Sequence, residues 1–419
     1  MNRKEIIRTK YLEKLLNWNE ARFIKILTGI RGSGKLTILN QYKELLQRKR
    51  QVRDEQFIIY DFNDEKLAEE TTWDTLTEKI EEKSLENSVN YVFLNQIQEV
   101  WEFENCLITL FENKKYTYDI YVTSSDAELL SSQLATLLTG RHKDFGIYPL
   151  SFTEIQNEFK LSEDKLYYRY LVYGGLGPIA SYYEDSGNDE YLQHVLNYLF
   201  DDTVEIDLIN RYRLNIKNLM REIIEYIYNN IGVVVPTIKL ENYLNFELKY
   251  KITAKTIDKY LNCACEALVL HRVNYYDFSI KRVLKTTGKY YAGDLGLLSA
   301  KIGFNENKNK EYRLENLVLL HLLSLGYEVS TLKNRDGGEV DFVCFKNEKV
   351  IYIQVTLELN DDNYEREVGN LLSIRDAFPK VVIYKTCLET HFGDGVVRIN
   401  IFDFLKEGLS PKLLFDDAY

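Results

Sequence analysis

The residues Gly29-Ile30-Arg31-Gly32-Ser33-Gly34-Lys35-Leu36-Thr37 have the spacing of a phosphate-binding loop. Glycines there let successive backbone N–H groups turn toward an anion, and a lysine at the end of the loop reaches the outer phosphates. The place after that lysine ordinarily carries a serine or threonine whose hydroxyl holds magnesium. Here it is Leu36, and Thr37 lies about 100° further round a helix, facing elsewhere. Further along, the apolar run Tyr91–Leu94 leads into Asn95-Gln96, where an acidic pair would organise the metal and polarise water. Two carboxylates are thus two amides, and no metal-ligating residue is expected. The expected ligand is ATP or ADP, held by Gly29, Arg31, Gly32, Ser33, Gly34, Lys35, Leu36 and Thr37, with the magnesium requirement in question. Losing a positioned general base costs roughly 10²–10⁴-fold in rate, and losing metal electrostatics costs more. Gln96 keeps the capacity to orient a water, so a slow ATPase is the alternative expectation.

Such residues need a scaffold. The run Phe23–Leu27 reads as a buried strand, and Leu36–Leu46 has helical apolar spacing. Phe57–Asp61, Tyr91–Leu94, Ile120–Thr123 and Phe145–Tyr148 are further strands separated by helical segments. That alternation predicts an α/β fold, a parallel sheet with helices on both faces. Ligands sit at the carboxyl ends of such strands, where the loop, Asn95-Gln96 and Thr123–Asp126 would converge.

Beyond residue 150 the pattern changes. Residues 151–212 are tyrosine-rich and helical, broken at Gly174-Gly175 and at Asp185–Asp189, as a helical lid would be. Residues 213–303 give helices over Leu219–Ile227, Ile238–Tyr243 and Ala254–Leu268, then β-like runs Val269–Tyr276 and Lys289–Ala292. Three helices and a hairpin predict a winged helix. Lys255 and Lys259 would lie on its exposed helix, and Arg272, Lys281, Arg282, Lys285 and Lys289 face a single acid, Asp277. That charge suits a DNA backbone, while a winged helix packing on another protein is the alternative. Residues 304–419 place Glu315 on a helix, Asp341 on a strand and Gln354-x-Thr356 on the next.

Taken in order, six segments resemble the prokaryotic AAA-type P-loop ATPases: Thr28–Lys35, Phe93–Val100, Asp119–Ser132, Leu134–Arg141, Ile147–Phe152 and Tyr173–Pro178. The resemblance implies an AAA-type core over 1–150, a sensor role for Ser125-Asp126 and an arginine contact from Arg141 to the nucleotide. The C-terminal order resembles the PD-(D/E)xK nuclease fold, in which Asp and Glu hold magnesium and a Lys activates water. Glu315 and Asp341 match, but Gln354 and Thr356 stand where Glu and Lys belong, so these positions read as vestigial and nuclease activity is not expected.

Composition narrows the function classes. A net charge of −11 argues against a coat for nonspecific nucleic-acid binding, and 45% hydrophobic residues is ordinary for globular chains. Five scattered cysteines form no metal or redox motif. Nothing resembles a signal peptide or a membrane span, so a cytoplasmic protein is expected. The combined expectation is a pseudoenzyme: a nucleotide-responsive regulatory or scaffold protein, partnered by nucleotide and by DNA, another protein or its own copies. A DNA-binding factor with a structural P-loop core is the other alternative.

Overall fold

The computed structural model describes residues 5–127, 140–180, 182–183, 189–277, 282–333, 338–388, 393–411 and 414. The chain divides into two compact units, Met1–Pro149 with Glu266–Leu268, and Leu150–Cys265 with Val269–Tyr419. No helix among the described residues is long and apolar enough to cross a membrane.

The first unit is built on five parallel strands: β1 (Ile24–Thr28), β2 (Phe57–Asp61), β3 (Val89–Asn95), β4 (Thr117–Ser124) and β5 (His142–Gly146), in the order β2-β3-β4-β1-β5. Successive side chains of a strand point to opposite faces, so an uninterrupted apolar strand must be covered on both. Val92, Leu94, Ile120 and Val122 face α3 (Trp73–Lys83) and α4 (Phe103–Glu112) through Leu76, Ile80 and Leu107. Tyr91, Phe93 and Tyr121 face α1 (Thr9–Leu16) and α2 (Lys35–Arg50) through Leu15, Ile38 and Tyr42.

One charged pair interrupts this core. Lys25 and Asp119 form an ion pair with side chains closed to solvent. Lys25 Nζ also donates to Ala21 O at 2.7 Å, and Asp119 Oδ2 accepts from Glu20 N at 2.8 Å and the Tyr121 hydroxyl at 2.9 Å. Burial pushes the lysine pKa down and the aspartate pKa up, each opposed by its partner's charge.

The second unit opens with α5 (Phe152–Phe159), α6 (Glu163–Tyr173) and α7 (Asp189–Asp202). Ser151 and Glu154 cap α5 reciprocally, the Glu154 N–H donating to Ser151 Oγ at 3.2 Å and Ser151 N–H to Glu154 Oε2 at 2.8 Å. The break after α6 is set by close approach: Gly174 has φ +70°, and a Cβ there would lie 2.2 Å from Asp294 Oδ1. The elements α8 (Lys217–Asn229), α9 (Thr237–Asn242), α10 (Ala254–Glu266) and a hairpin, β6 (Leu270–Asp277) and β7 (Arg282–Ala292), come next in the expected order.

That hairpin does not stand alone. After α11 (Leu295–Ile302) and α12 (Lys310–Ser324) come β8 (Glu328–Lys333), β9 (Glu339–Lys346), β10 (Lys349–Leu359), β11 (Lys380–Cys387), β12 (Val397–Asn400) and α13 (Ile401–Glu407). β6 pairs in parallel with β8 at Tyr275↔Thr331 and Tyr276↔Leu332. The result is one seven-stranded mixed sheet, β12-β11-β10-β9-β8-β6-β7. Arg313 of α12 is fully buried and donates to Lys308 O, Leu171 O and Ser299 Oγ at 2.8–2.9 Å, tying the helices beside this sheet together.

Candidate functional site

The phosphate loop spans the gap between β1 and the first residue of α2, at the carboxyl end of the sheet. Gly32 and Gly34 take φ values of 82° and 91°, which side chains rarely adopt. Gly29 cannot be replaced for a different reason, since a Cβ there would lie 2.2 Å from Ile147 O. The Gly29 N–H donates to Ser124 O at 3.2 Å, tying the loop to the end of β4. Lys35 is buried and arches back over the loop, its Nζ donating to Gly29 O at 2.6 Å and Ile30 O at 3.1 Å. Ser33 is buried beneath the loop, Arg31 lies half-buried on it, and Leu36 and Thr37 are half-buried in the first turn of α2. A 16-residue helix begins here, so its positive end and free N–H groups face any bound phosphate.

One residue outside the loop, with no signal in the sequence, holds it in place. Arg8, 2% exposed, donates from Nη1 to Ser33 O and from Nη2 to Tyr148 O, both at 2.9 Å. Its guanidinium also lies 4.7 Å from the centroid of the Tyr11 ring. It braces the loop against the segment after β5. No local pattern marks it, because its partners lie 25 and 140 residues away.

At the end of β3 both amides are buried and engaged. Asn95 Nδ2 donates to Asp61 Oδ1 at 2.7 Å, and Asn95 Oδ1 accepts from the Thr123 hydroxyl. Gln96, in the left-handed region at φ 54°, accepts at Oε1 from Gln98 Nε2 at 2.6 Å and from Ser125 Oγ at 3.3 Å. Asp126 donates its N–H to Ser124 Oγ at 2.9 Å. The loop, Asn95, Gln96, Ser125 and Asp126 therefore do converge. Asp61, also missed in the sequence, pairs in register with Asn95 on the neighbouring strand. It holds a carboxylate one strand, about 4.8 Å, further from the loop than β3 would place it.

Magnesium, which this fold implies, does not fit these residues. Leu36 has no hydroxyl, the Asn95 amide is consumed by Asp61 and Thr123, and Asp61 is a strand too far out. With the side chains as they stand, no group of three His, Cys, Asp or Glu among the described residues is arranged to hold a metal ion.

Arg141 is not brought to the loop. It precedes β5, which runs parallel to β1 from Ile24↔His142, so it lies at the opposite end of the sheet and pairs with Glu112 at 2.7 Å. Most of the 134–141 segment lies outside the described residues.

Of the expected DNA contacts, Lys255 and Lys259 are exposed on α10. Arg272 is half-buried, its guanidinium 5.7 Å from the Tyr290 ring centroid. Lys281 and the side chains of Arg282 and Lys285 lie outside the described residues. Lys289 is buried rather than presented, because its ammonium pairs with Glu339 at 2.5 Å and approaches Asp341 Oδ1 to 3.7 Å.

That pairing belongs to the positions expected to be vestigial. Glu315 accepts from the Tyr291 hydroxyl at 3.0 Å, and Asp341 Oδ2 accepts from Val355 N at 2.9 Å. Gln354 donates to Glu367 at 3.1 Å, while Thr356 turns along its own strand to Glu358 O at 2.9 Å. Burial pushes the Asp341 carboxyl up to about 6 and Glu315 well above its usual range. Burial opposes the charge on Lys289, but Asp341, Glu315 and Glu339 outweigh it and hold the ammonium above the ordinary lysine value.

Comparison with known proteins matches residues 21–156 to the AAA domain and residues 164–308 to a domain of unknown function (DUF8612). An uncharacterised protein of Haemophilus influenzae is 31% identical over 413 residues, 97% of this chain and 100% of its own length. An uncharacterised protein of Methanocaldococcus jannaschii is 30% identical over 82% of this chain and 77% of its own. A Walker-type ATPase of Pyrococcus abyssi aligns with 72% of this chain and 99% of its own at 13% identity, with a TM-score of 0.48. The phosphate loop follows β1, an interior strand of its sheet, within the AAA match, and the likeness to a bacterial relative runs the full length of that relative. On these grounds the chain belongs to the prokaryotic AAA-type P-loop ATPases.

Proposed function

We propose that this protein binds ATP or ADP through the loop at residues 29–37, hydrolyses it poorly or not at all, and acts as a nucleotide-responsive regulator or scaffold. One observation carries the reading: Asn95 and Gln96 are buried and hydrogen-bonded where a metal-organising acid and a water-polarising acid would act. Phosphate cradling is a backbone property and survives those changes, whereas phosphoryl transfer needs the charge compensation they remove. A thermal-shift titration with ATP and ADP, each with and without magnesium, tests it alongside phosphate release. Nucleotide at about 100 times its dissociation constant stabilises the native state by about 2.7 kcal/mol. A shift of a few degrees, indifferent to magnesium, absent in Lys35→Ala and unaccompanied by phosphate release, is the expected result. Turnover that disappears in Lys35→Ala would instead establish a slow ATPase.

A second reading, contact with a DNA backbone, draws on the exposed lysines 239, 249, 251, 255 and 259 along α9, α10 and their connection. If they meet phosphates, Lys255→Ala with Lys259→Ala lowers the slope of log affinity against log salt by about 2. Retention on DNA with an unchanged slope would remove these two residues from the interface.

A further inference from the structure

We propose that the carboxylate cluster beside β7 and β9 is a cation site filled by the chain's own Lys289. Two elements supply its acids: Glu315 comes from α12, and Glu339 and Asp341, two apart on β9, share one face of that strand. Lys289 and Tyr291 are likewise two apart on β7, so one strand delivers both the ammonium and the hydroxyl that Glu315 accepts. Asp341 Oδ2 is taken by the Val355 N–H, which leaves Asp341 Oδ1 and Glu339 Oε1 for the ammonium at 3.7 and 2.5 Å.

Size and charge both favour this occupant. Magnesium demands oxygens at about 2.0–2.1 Å in near-octahedral array, and the spacing around Nζ is that of an ammonium. Glu315 and Asp341 are buried with the half-exposed Glu339 beside them, and carboxylates so gathered repel one another and take up protons unless a positive charge sits among them. The lysine supplies that charge without a metal. Access is also narrow: a Cβ on Gly232 would lie 3.2 Å from Glu315 Oε2 and 2.6 Å from the Tyr312 ring, so only glycine fits over that side. A metal-dependent phosphodiester-cleaving centre would need open the place that Nζ fills. β7 thus supplies a structural cation to the acids of β9 and α12 in the sheet it shares with β9.

The test is Mn²⁺ binding to the nucleotide-free full chain, read by the paramagnetic resonance signal of free Mn²⁺ and by thermal shift. With Lys289 in place, Asp341→Asn should leave Mn²⁺ binding unchanged, because no metal enters the cluster. Lys289→Met should bind Mn²⁺ at least about tenfold more tightly than the wild type, and adding Asp341→Asn should abolish the gain. If Lys289→Met does not fold alone, millimolar Mn²⁺ should restore its circular dichroism. Wild-type Mn²⁺ binding that Asp341→Asn removes would overturn the proposal, since metal and lysine would then share the site. A Lys289→Met chain that folds without gaining Mn²⁺ affinity, or that Mn²⁺ fails to rescue, would overturn it equally.

Discussion

Combining Leu36→Ser, Asn95→Asp, Gln96→Glu and Asp61→Asn is expected to raise phosphate release from Mg-ATP by at least about 10²-fold over the wild type. The first three changes supply the hydroxyl, the metal-organising acid and the water-polarising acid. The fourth is dictated by the structure. Asn95 Nδ2 now donates to Asp61 at 2.7 Å, so a carboxylate placed at position 95 would face another carboxylate at hydrogen-bonding distance. Like charges that close cannot both ionise freely, and one of the two would hold a proton instead of ligating metal. Exchanging the residue types at 61 and 95 keeps the hydrogen bond and returns the charge to β3. The triple variant that keeps Asp61 should therefore recover less activity than the quadruple one. A quadruple variant that still binds nucleotide yet releases no phosphate would place the defect elsewhere, and the reading of Asn95 and Gln96 as its cause would fail.

Asp119→Ala is expected to destabilise the first unit by about 3–5 kcal/mol, because it leaves Lys25 charged, buried and without its carboxylate. The double variant Lys25→Met with Asp119→Leu should recover most of that loss, since a buried ion pair and a well-packed apolar pair are often close in stability. All three tryptophans, Trp18, Trp73 and Trp101, lie in this unit, so their fluorescence during urea unfolding reports on it alone. A single variant within about 1 kcal/mol of wild type would mean that water reaches the Lys25 ammonium.

How legible the fold was depends on where each element lies. Phe57–Asp61 coincides with β2 because its apolar run Phe57–Tyr60 is continuous, although β2 is an edge strand and Ile59 is exposed. The expected strand Phe145–Tyr148 is instead β5, His142–Gly146. It lies at the sheet edge, where His142, Lys143 and Asp144 point partly to solvent and break the apolar signal. Likewise α2 runs on to Arg50 past the expected Leu46, because its last turn is polar and exposed. The loop at 29–37 and the amide pair were readable since each is a contiguous motif. Arg8, Asp61 and the burial of Lys289 were not, because each is defined by a partner on a distant element. Lys289 misled for the same reason: in sequence it sits among bases, and only the pairing of β6 with β8 brings β9 and its acids to it.

The seven-stranded sheet has an outcome for synthesis. Its two strands β6 and β7, at one edge, are made before the five others, and β7 ends at Ala292 while the strand that receives the hairpin ends at Lys333. A ribosome adds those 41 residues (333 − 292) in about 2–8 s. Through that interval the nascent hairpin offers an unpaired strand edge and an ammonium with no carboxylate beside it. Edges of that kind recruit other chains, so a pause between residues 292 and 333 should favour aggregation on the ribosome more than a pause anywhere in the first unit.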